Sequence, residues 1–274
     1  MKMVIFPNAK INIGLRITGK RSDGYHNIES IFYPVKLSDA LEFVVPDEVI
    51  SKDILKVTGI DIGNDTDNNI VIRALLRLRG SNSFPFLKIH LHKVIPVGAG
   101  LGGGSSDAAC LLNVLNRHFS LNIEKSGLMA LALELGSDCP FFIDGIPSLG
   151  SGRGEILEPV KTVLSGYYLV ILNPGVQINT GEAYKNCNPD VPSSSLKETF
   201  EQPVIEWKKL IMNDFEDFAF KKYPVIGEIK EELNGSGALF SLMSGSGSSV
   251  YGIFQKKPEL AEKLRNFIIW EGFF

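Results

Sequence analysis

Cysteine is scarce in this chain: three residues in 274, Cys110, Cys139 and Cys187, lie far apart. An odd number with no CxxC spacing excludes a disulfide framework and supports no cysteine metal site. Charge of one sign is also missing. A net charge of -3 leaves no basic footprint for nucleic acid, and no run of like charges suggests an anionic membrane partner. Long apolar runs are absent, since none approaches the roughly 20 residues of a membrane span. The N-terminal stretch meets Asn8 and Lys10 before a signal-peptide core could form. The expectation is a cytoplasmic protein with no nucleic-acid or membrane partner. Of the four histidines, His90 and His92 share one face of a strand as an HxH metal pair would, but no third ligand stands nearby, so an exposed polar face is the reading.

What the chain does have is an ordinary globular composition, 44% hydrophobic and 22% charged, and enough length to bury a full core, which suggests two domains. Apolar residues alternate at Ile11, Ile13, Leu15 and Ile17, the pattern of a half-buried strand whose other face carries Lys10, Asn12 and Arg16. SIFYPVKLSDALEFVV, ILKVTGI and FLKIHLHKVIP read as further strands, and NNIVIRALLRLRG as a helix opened by capping asparagines. SSDAACLLNVLNRHF predicts a helix started by Ser or Asp, and EKSGLMALALELG one ended at Gly136. Strands follow near 147–149 and 167–173. Past residue 185, CNPDVPSSSLKETFEQP has the texture of a connection. Two helices interrupted at Pro224, two strands flanking a glycine-serine turn in ALFSLMSGSGSSVYGIF, and a last helix in PELAEKLRNFIIW complete the expectation.

The densest signal is PVGAGLGGGSSDAA, residues 96 to 109, with five glycines within seven residues. Gly98, Gly100 and Gly103 match GxGxxG, but a dinucleotide fingerprint needs a second strand ending in an acidic residue about 20 positions on. Glu124 stands at that distance and opens a helix instead. A Walker loop ends in GK[ST], and this one ends GGSSD with no lysine. What remains is the physics both loops share, bare backbone N–H groups leading into a positive helix N-terminus, which suits a phosphate. Ser105 and Ser106 add hydroxyl donors or a magnesium ligand.

That loop resembles the second motif of the GHMP kinases, which phosphorylate small alcohols with ATP. PNAKINIGLRI near the N-terminus and LMSGSGSSVYG near the C-terminus resemble the superfamily's other two motifs, so the likeness spans almost the whole chain. GKRSDGYHNIESIF and GSDCPFFIDGIPSLGSGRGEILEPV resemble one branch, whose acceptor is a cytidine-diphospho sugar alcohol of isoprenoid precursor synthesis. The resemblance implies an α+β, two-domain GHMP kinase fold: a ribosomal-S5-like, ATP-binding N-terminal domain over 1–160 and a ferredoxin-like C-terminal domain over 161–274. It implies ATP and magnesium as cofactors and leaves monomer or homodimer open.

Residue by residue, the resemblance makes Asp138 in LGSDCPFF the base and Lys10 its electrostatic partner. Spacing alone reads Asp138 as a turn cap and Lys10 as a solvated strand lysine. Pro96, Val97, Gly98, Ala99, Gly100, Leu101, Gly102, Gly103, Gly104, Ser105 and Ser106 would cradle the triphosphate, with Ser105 or Ser106 on the metal. Lys93 and Asn69 resemble positions near adenine and ribose, or are a surface lysine and a helix cap. Tyr25 and His26 in SDGYH would recognise cytosine, with Tyr184 closing the other face; otherwise they pack over a turn. Asn12 and, more weakly, Thr180 would reach the acceptor. MSGSGSS, residues 243 to 249, would lie near the phosphates. The segment departs from the family's GADVPFF at Ser137 and Cys139, and Gly14 replaces a bulkier residue, which puts local geometry in doubt.

Overall fold

The structure, a computed structural model, describes residues 2–63, 66–190 and 194–274. In chain order its elements are β1 (Lys2–Ile5), β2 (Asn8–Lys20), β3 (His26–Ser38), β4 (Ala40–Val44), β5 (Ile54–Gly59), α1 (Ile70–Arg79), β6 (Lys88–Lys93), α2 (Gly103–His118), α3 (Lys125–Leu135), α4 (Phe141–Asp144), β7 (Ser148–Ser151) and β8 (Ile156–Pro159). There follow β9 (Tyr168–Leu172), α5 (Thr180–Lys185), α6 (Leu196–Phe200), α7 (Val204–Leu210), α8 (Glu216–Lys222), α9 (Pro224–Gly235), β10 (Phe240–Met243), β11 (Val250–Phe254), α10 (Glu262–Arg265) and β12 (Ile268–Phe273).

Two compact units result. One gathers Met1–Ala9, Lys36–Val97 and Gly102–Ile146; the other gathers Lys10–Val35, Gly98–Leu101 and Pro147–Phe274.

The first unit carries a sheet in the order β1-β4-β6-β5, in which β5 and β6 are parallel. Parallel neighbours need a crossover, and α1 supplies it. Asn69 caps α1 by accepting from the Val71 N–H, and the helix turns Val71, Ala74, Leu75 and Leu78 inward. These side chains, with Leu111, Leu112 and Leu115 of α2 and Leu128 and Ala132 of α3, form the core against Ile89 and Leu91 of β6. Cys139, where the chain departs from the family pattern, is buried in the same core.

The second unit holds a sheet β10-β11-β9-β12, with β9 (YLVIL) buried at every position, and a second sheet β2-β3-β7-β8. Ile226, Ile229 and Leu233 are the buried residues of α9, whose Pro224 sits in its first turn, where a missing N–H costs nothing. Trp207 of α7 stacks on Phe200 at 5.1 Å and meets Phe240 edge-on.

Five expectations are corrected. The C-terminal helix shrinks to Glu262–Arg265, and Ile268–Phe273 becomes β12, antiparallel to β9. The β-branched and aromatic residues there gain a ladder that a single turn of helix cannot match. Strand β2 is buried on both faces from Ala9 to Leu15, not on one. Helix α2 starts at Gly103, ahead of the serines, with Gly102 as its N-cap. Gly136 ends α3 in an extended conformation (φ 171°) that any residue adopts, so no glycine cap operates there. The stretch expected as connection carries α6, capped by Ser195.

The odd Gly14 is explained inside the second unit. It has φ +73°, and a Cβ would stand 2.9 Å from both Ile211 Cγ2 and Leu196 Cδ1. A bulkier residue is excluded here on both counts.

Candidate active site

The glycine-rich segment is held at Ala99 and Gly100. Gly98, Gly100 and Gly102 all adopt positive φ, a conformation that costs other residues free energy. Within the second unit, Gly100 packs against the turn that follows β10: a Cβ on it would lie 1.9 Å from the Ser244 carbonyl oxygen. Ser244 Oγ donates to the Gly100 carbonyl (2.8 Å), and the Ser249 N–H donates to that of Ala99 (3.2 Å). The serine turn is thus tied to the glycine run by direct hydrogen bonds.

Helix α2 then opens with no side-chain cap and no acidic residue in its first turn. Its first N–H groups are the orphan donors of a 16-residue helix, at the positive end of its dipole. An anion satisfies them, and nothing in the helix's own first turn competes for them. Gly104 there is exposed and Ser105 half-buried; burial pushes the nearby Cys139 thiol up to about 11 against the opposing influence of the Ser105 hydroxyl. Ser106 is fully buried and its hydroxyl lies 3.9 Å from Cys110 Sγ. The two serines are thus unequal: only Ser105 is reachable from outside.

Lys93 and Asn69, placed by resemblance near the nucleotide, have other partners. Asn69 spends its Oδ1 on the cap of α1. Lys93 alternates in phase with Ile89 and Leu91 and so points inward, where its ammonium pairs with Asp39 and with Asp107 (2.7 Å). All three side chains are buried. A surface lysine is ruled out, and its charge is engaged by the protein itself. Period-2 alternation in KIHLHK was the signal for this inward position.

Asp138 sits half-buried on the turn between α3 and α4, where the Cys139 N–H closes the turn on the Gly136 carbonyl. No histidine, cysteine or carboxylate cluster able to hold a metal exists among the described residues. The donor set therefore fits only a magnesium ion that keeps water and phosphate oxygens as its main ligands, with Ser105 as the one accessible protein hydroxyl of the pair.

In the second unit, Lys10 and Asn12 lie side by side on β2, both almost fully buried. The Lys10 ammonium donates to Asn12 Oδ1 at 2.5 Å and sits 5.3 Å from the centre of the Phe32 ring. Asn12 Nδ2 donates to Ser30 Oγ (2.7 Å), whose hydroxyl donates to the Gly14 carbonyl (2.6 Å). The Asn12 backbone is tied as well, its N–H to Ser244 Oγ and its carbonyl to the hydroxyl of the buried Tyr251. The Lys10 N–H reaches the Leu101 carbonyl. Asn12 is thus tied at side chain and backbone, and Lys10 is aimed by it.

The aromatic group forms at the β2–β3 turn. Asp23 accepts from the Tyr25 N–H and is gripped by Arg21, which holds its carboxyl below the usual range. Tyr25 is 51% exposed, and the Arg153 guanidinium lies over its ring at 4.1 Å. The His26 ring stacks on Tyr184 at 4.7 Å with 16° between planes, and Tyr184 meets Phe215 edge-on. Thr180, exposed at the start of α5, is 3.0 Å from Ser246 Oγ of the serine turn.

Two family models match, the GHMP kinases N terminal domain over residues 69–145 and the GHMP kinases C terminal domain over 195–269, together more than half of the chain. This chain belongs to the GHMP kinases. As a GHMP kinase it is a phosphotransferase with an α+β fold, and ATP is its donor. It is 49% identical over 260 residues, 95% of each chain, to a 4-diphosphocytidyl-2-C-methyl-D-erythritol kinase of Bacteroides thetaiotaomicron. It is 47% identical over 272 residues to the protein of that name from Parabacteroides distasonis, covering 98% of this chain and 99% of the other. A crystal structure of 4-(cytidine 5'-diphospho)-2C-methyl-D-erythritol kinase superposes on this GHMP kinase with a TM-score of 0.75, at 31% identity and 98% coverage of both chains. No helix among the described residues is long and apolar enough to cross a membrane.

Proposed function

We propose that this GHMP kinase phosphorylates the 2-hydroxyl of 4-diphosphocytidyl-2-C-methyl-D-erythritol, in the cytoplasm, on the non-mevalonate route to isoprenoid precursors. The observation that carries this is 49% identity, nearly end to end, to a protein named for that substrate. The aromatic group of Tyr25, His26 and Tyr184 supports it, because neither homoserine nor mevalonate, the alcohols of other GHMP kinases, has a base to stack. The division into an ATP-binding part over 1–160 and a second part over 161–274 belongs to the same proposal.

In this reading the N–H groups at the start of α2 and the run from Pro96 to Ser106 hold the triphosphate. Asp138 receives the proton of the acceptor hydroxyl as its oxygen bonds to the γ-phosphorus, and the bond from that phosphorus to the β,γ-bridging oxygen breaks to release ADP. Lys10, aimed by Asn12, stabilises negative charge as the hydroxyl loses its proton. Magnesium, bound with the triphosphate, supplies further charge neutralisation, and Ser105 is the hydroxyl that would help hold it. Thr180 stands beside the serine turn as an acceptor contact. Lys93 is read as acting from beneath the loop, and Asn69 as a helix cap.

The test is turnover with ATP and magnesium on the cytidine-diphospho acceptor, homoserine and mevalonate in parallel. Activity on the first alone is expected; none on the first, with activity on either other alcohol, overturns the reading. Asp138→Asn should bind both substrates and transfer phosphate at a small fraction of the wild-type rate.

A further inference from the structure

Inside the first unit, three charged side chains meet in a place where burial makes charge costly. Asp39, Lys93 and Asp107 are all at most 3% exposed. The Lys93 ammonium donates to Asp39 Oδ2 and to Asp107 Oδ2. Asp39 uses its other oxygen to accept from the Val94 and Ile95 N–H groups, at 2.5 and 2.8 Å. Asp107 Oδ1, by contrast, is buried with no hydrogen-bond partner among the described residues. Two carboxylates against one ammonium is an arrangement that a stable core does not require. Replacing such groups with apolar ones is often neutral or stabilising, and the best-attested use of buried charge is to fix register.

The register in question is that of the glycine-rich segment. Asp39 and Lys93 hold the chain just before it, at Lys93–Ile95, and Asp107 belongs to α2 just after it. A Cβ on Gly103 would lie 3.3 Å from the Lys93 ammonium and 2.8 Å from Ile95 Cγ2, so the first residue of α2 rests directly on this charged group. The same contact forbids a side chain at Gly103.

We propose that the Lys93–Asp39–Asp107 group is the positioning element of the ATP site: it fixes the start of α2 against the end of β6, so that the first N–H groups of α2 face the phosphates. Lys93 then acts on the nucleotide without touching it. The inference rests on the reading of this segment as the triphosphate cradle. The pKa of Asp107, raised to about 7 chiefly by burial, is consistent with a group kept for its tether at some cost.

Asp107→Ala isolates the tether. It keeps the Lys93–Asp39 pair, removes the unpartnered oxygen and inserts a good helix former, so the fold should be at least as stable as wild type. The KM for ATP should rise about tenfold, within the range that lost positioning commonly costs, with the KM for the acceptor unchanged. Asp107→Asn, which keeps an oxygen for the ammonium, should restore an ATP KM near wild type. Calorimetric affinity for a non-hydrolysable ATP analogue should follow the same order. An Asp107→Ala protein with wild-type ATP KM and analogue affinity overturns the proposal, as does an equal rise in both KM values. Wild-type protein that binds the analogue but never turns over the cytidine-diphospho acceptor would instead overturn the proposed substrate, leaving the analogue series to judge the tether.

Discussion

The Lys10 ammonium donates to Asn12 Oδ1 at 2.5 Å, and the same amide donates onward to Ser30 Oγ at 2.7 Å. An amide has an acceptor end and a donor end, so this chain sets the orientation of Asn12, and Asn12 in turn points the lysine. Burial makes the arrangement stiff, because any other rotamer would leave a buried polar group unpaired.

Asn12→Ala should therefore behave as a defect in Lys10. A misplacement near 1 Å can cost about 100-fold in rate, so kcat is expected to fall by about 10- to 100-fold while the KM for ATP stays near wild type. Steady-state kinetics with each substrate varied in turn measure both. An unchanged kcat with a raised acceptor KM would mean that Asn12 touches the acceptor instead of aiming the lysine.

Gly100→Ala should damage the fold as well as the loop. The new Cβ would lie 1.9 Å from the Ser244 carbonyl oxygen, on a residue with φ +77°. The backbone conformation alone costs on the order of 1–3 kcal/mol, and the backbone clash adds to it. Denaturant unfolding should show that loss, together with weaker binding of an ATP analogue. Gly104 faces open surroundings apart from Ile70 Cγ2 at 3.6 Å, so Gly104→Ala should leave stability close to wild type.

The pH dependence of stability should carry the mark of Asp107. Burial raises its pKa from 3.8 to about 7, against the opposing pull of Lys93; Asp39 pushes in the same direction as burial, and Cys110 is the other titratable group beside it. Between these two values the folded state holds a proton that the unfolded state has lost, so this group's contribution to stability falls as pH rises from about 4 to about 7 and is flat above. Asp107→Asn cannot titrate. Denaturant midpoints across that range should fall less steeply for the variant; parallel curves would remove Asp107 as the cause.

The second half of the acceptor site is testable through Tyr184. Base–aromatic stacking is worth about 1–3 kcal/mol, so Tyr184→Ala should raise the acceptor KM by the corresponding factor and leave ATP unaffected. Tyr184→Phe keeps the stacking face and should stay near wild type. Equal KM values for all three proteins would mean that the His26–Tyr184 stack only packs the turn.

How much of this was legible beforehand depended on range. Strands such as KIHLHK and YLVIL, the cap at Asn69 and the turn around Gly245 are written in neighbouring residues, and they formed where local pattern put them. Lysine is usually solvated or ligand-facing, and residue type alone reads Lys10 and Lys93 that way, whereas one of the two carboxylates that pair with the buried Lys93 lies 54 residues away at Asp39. FIIW read as helix for the same reason: the strand it pairs with, β9, lies about 100 residues earlier, and no local period reveals it. Motif likeness located the glycine run, but not that Ser105 is open and Ser106 closed, which depends on where α2 begins.

Ser244 offers the sharpest comparison within the serine turn. Its fully buried hydroxyl accepts from the Asn12 N–H at 3.1 Å and donates to the Gly100 carbonyl at 2.8 Å, so one atom joins β2 to the glycine run inside the second unit. Ser244→Ala strands both backbone groups, at about 1–3 kcal/mol for each left unsatisfied. It should lower stability and, by loosening Asn12, lower kcat too. Ser246, two residues on, bonds among the described residues to the exposed Thr180, and its loss should change stability by no more than about 0.5 kcal/mol. Denaturant unfolding of the two alanine variants side by side, with kcat measured on each, separates a buried rivet from an exposed contact. Equal effects at the two positions would show that the turn as a whole, not the Ser244 hydroxyl, holds the loop.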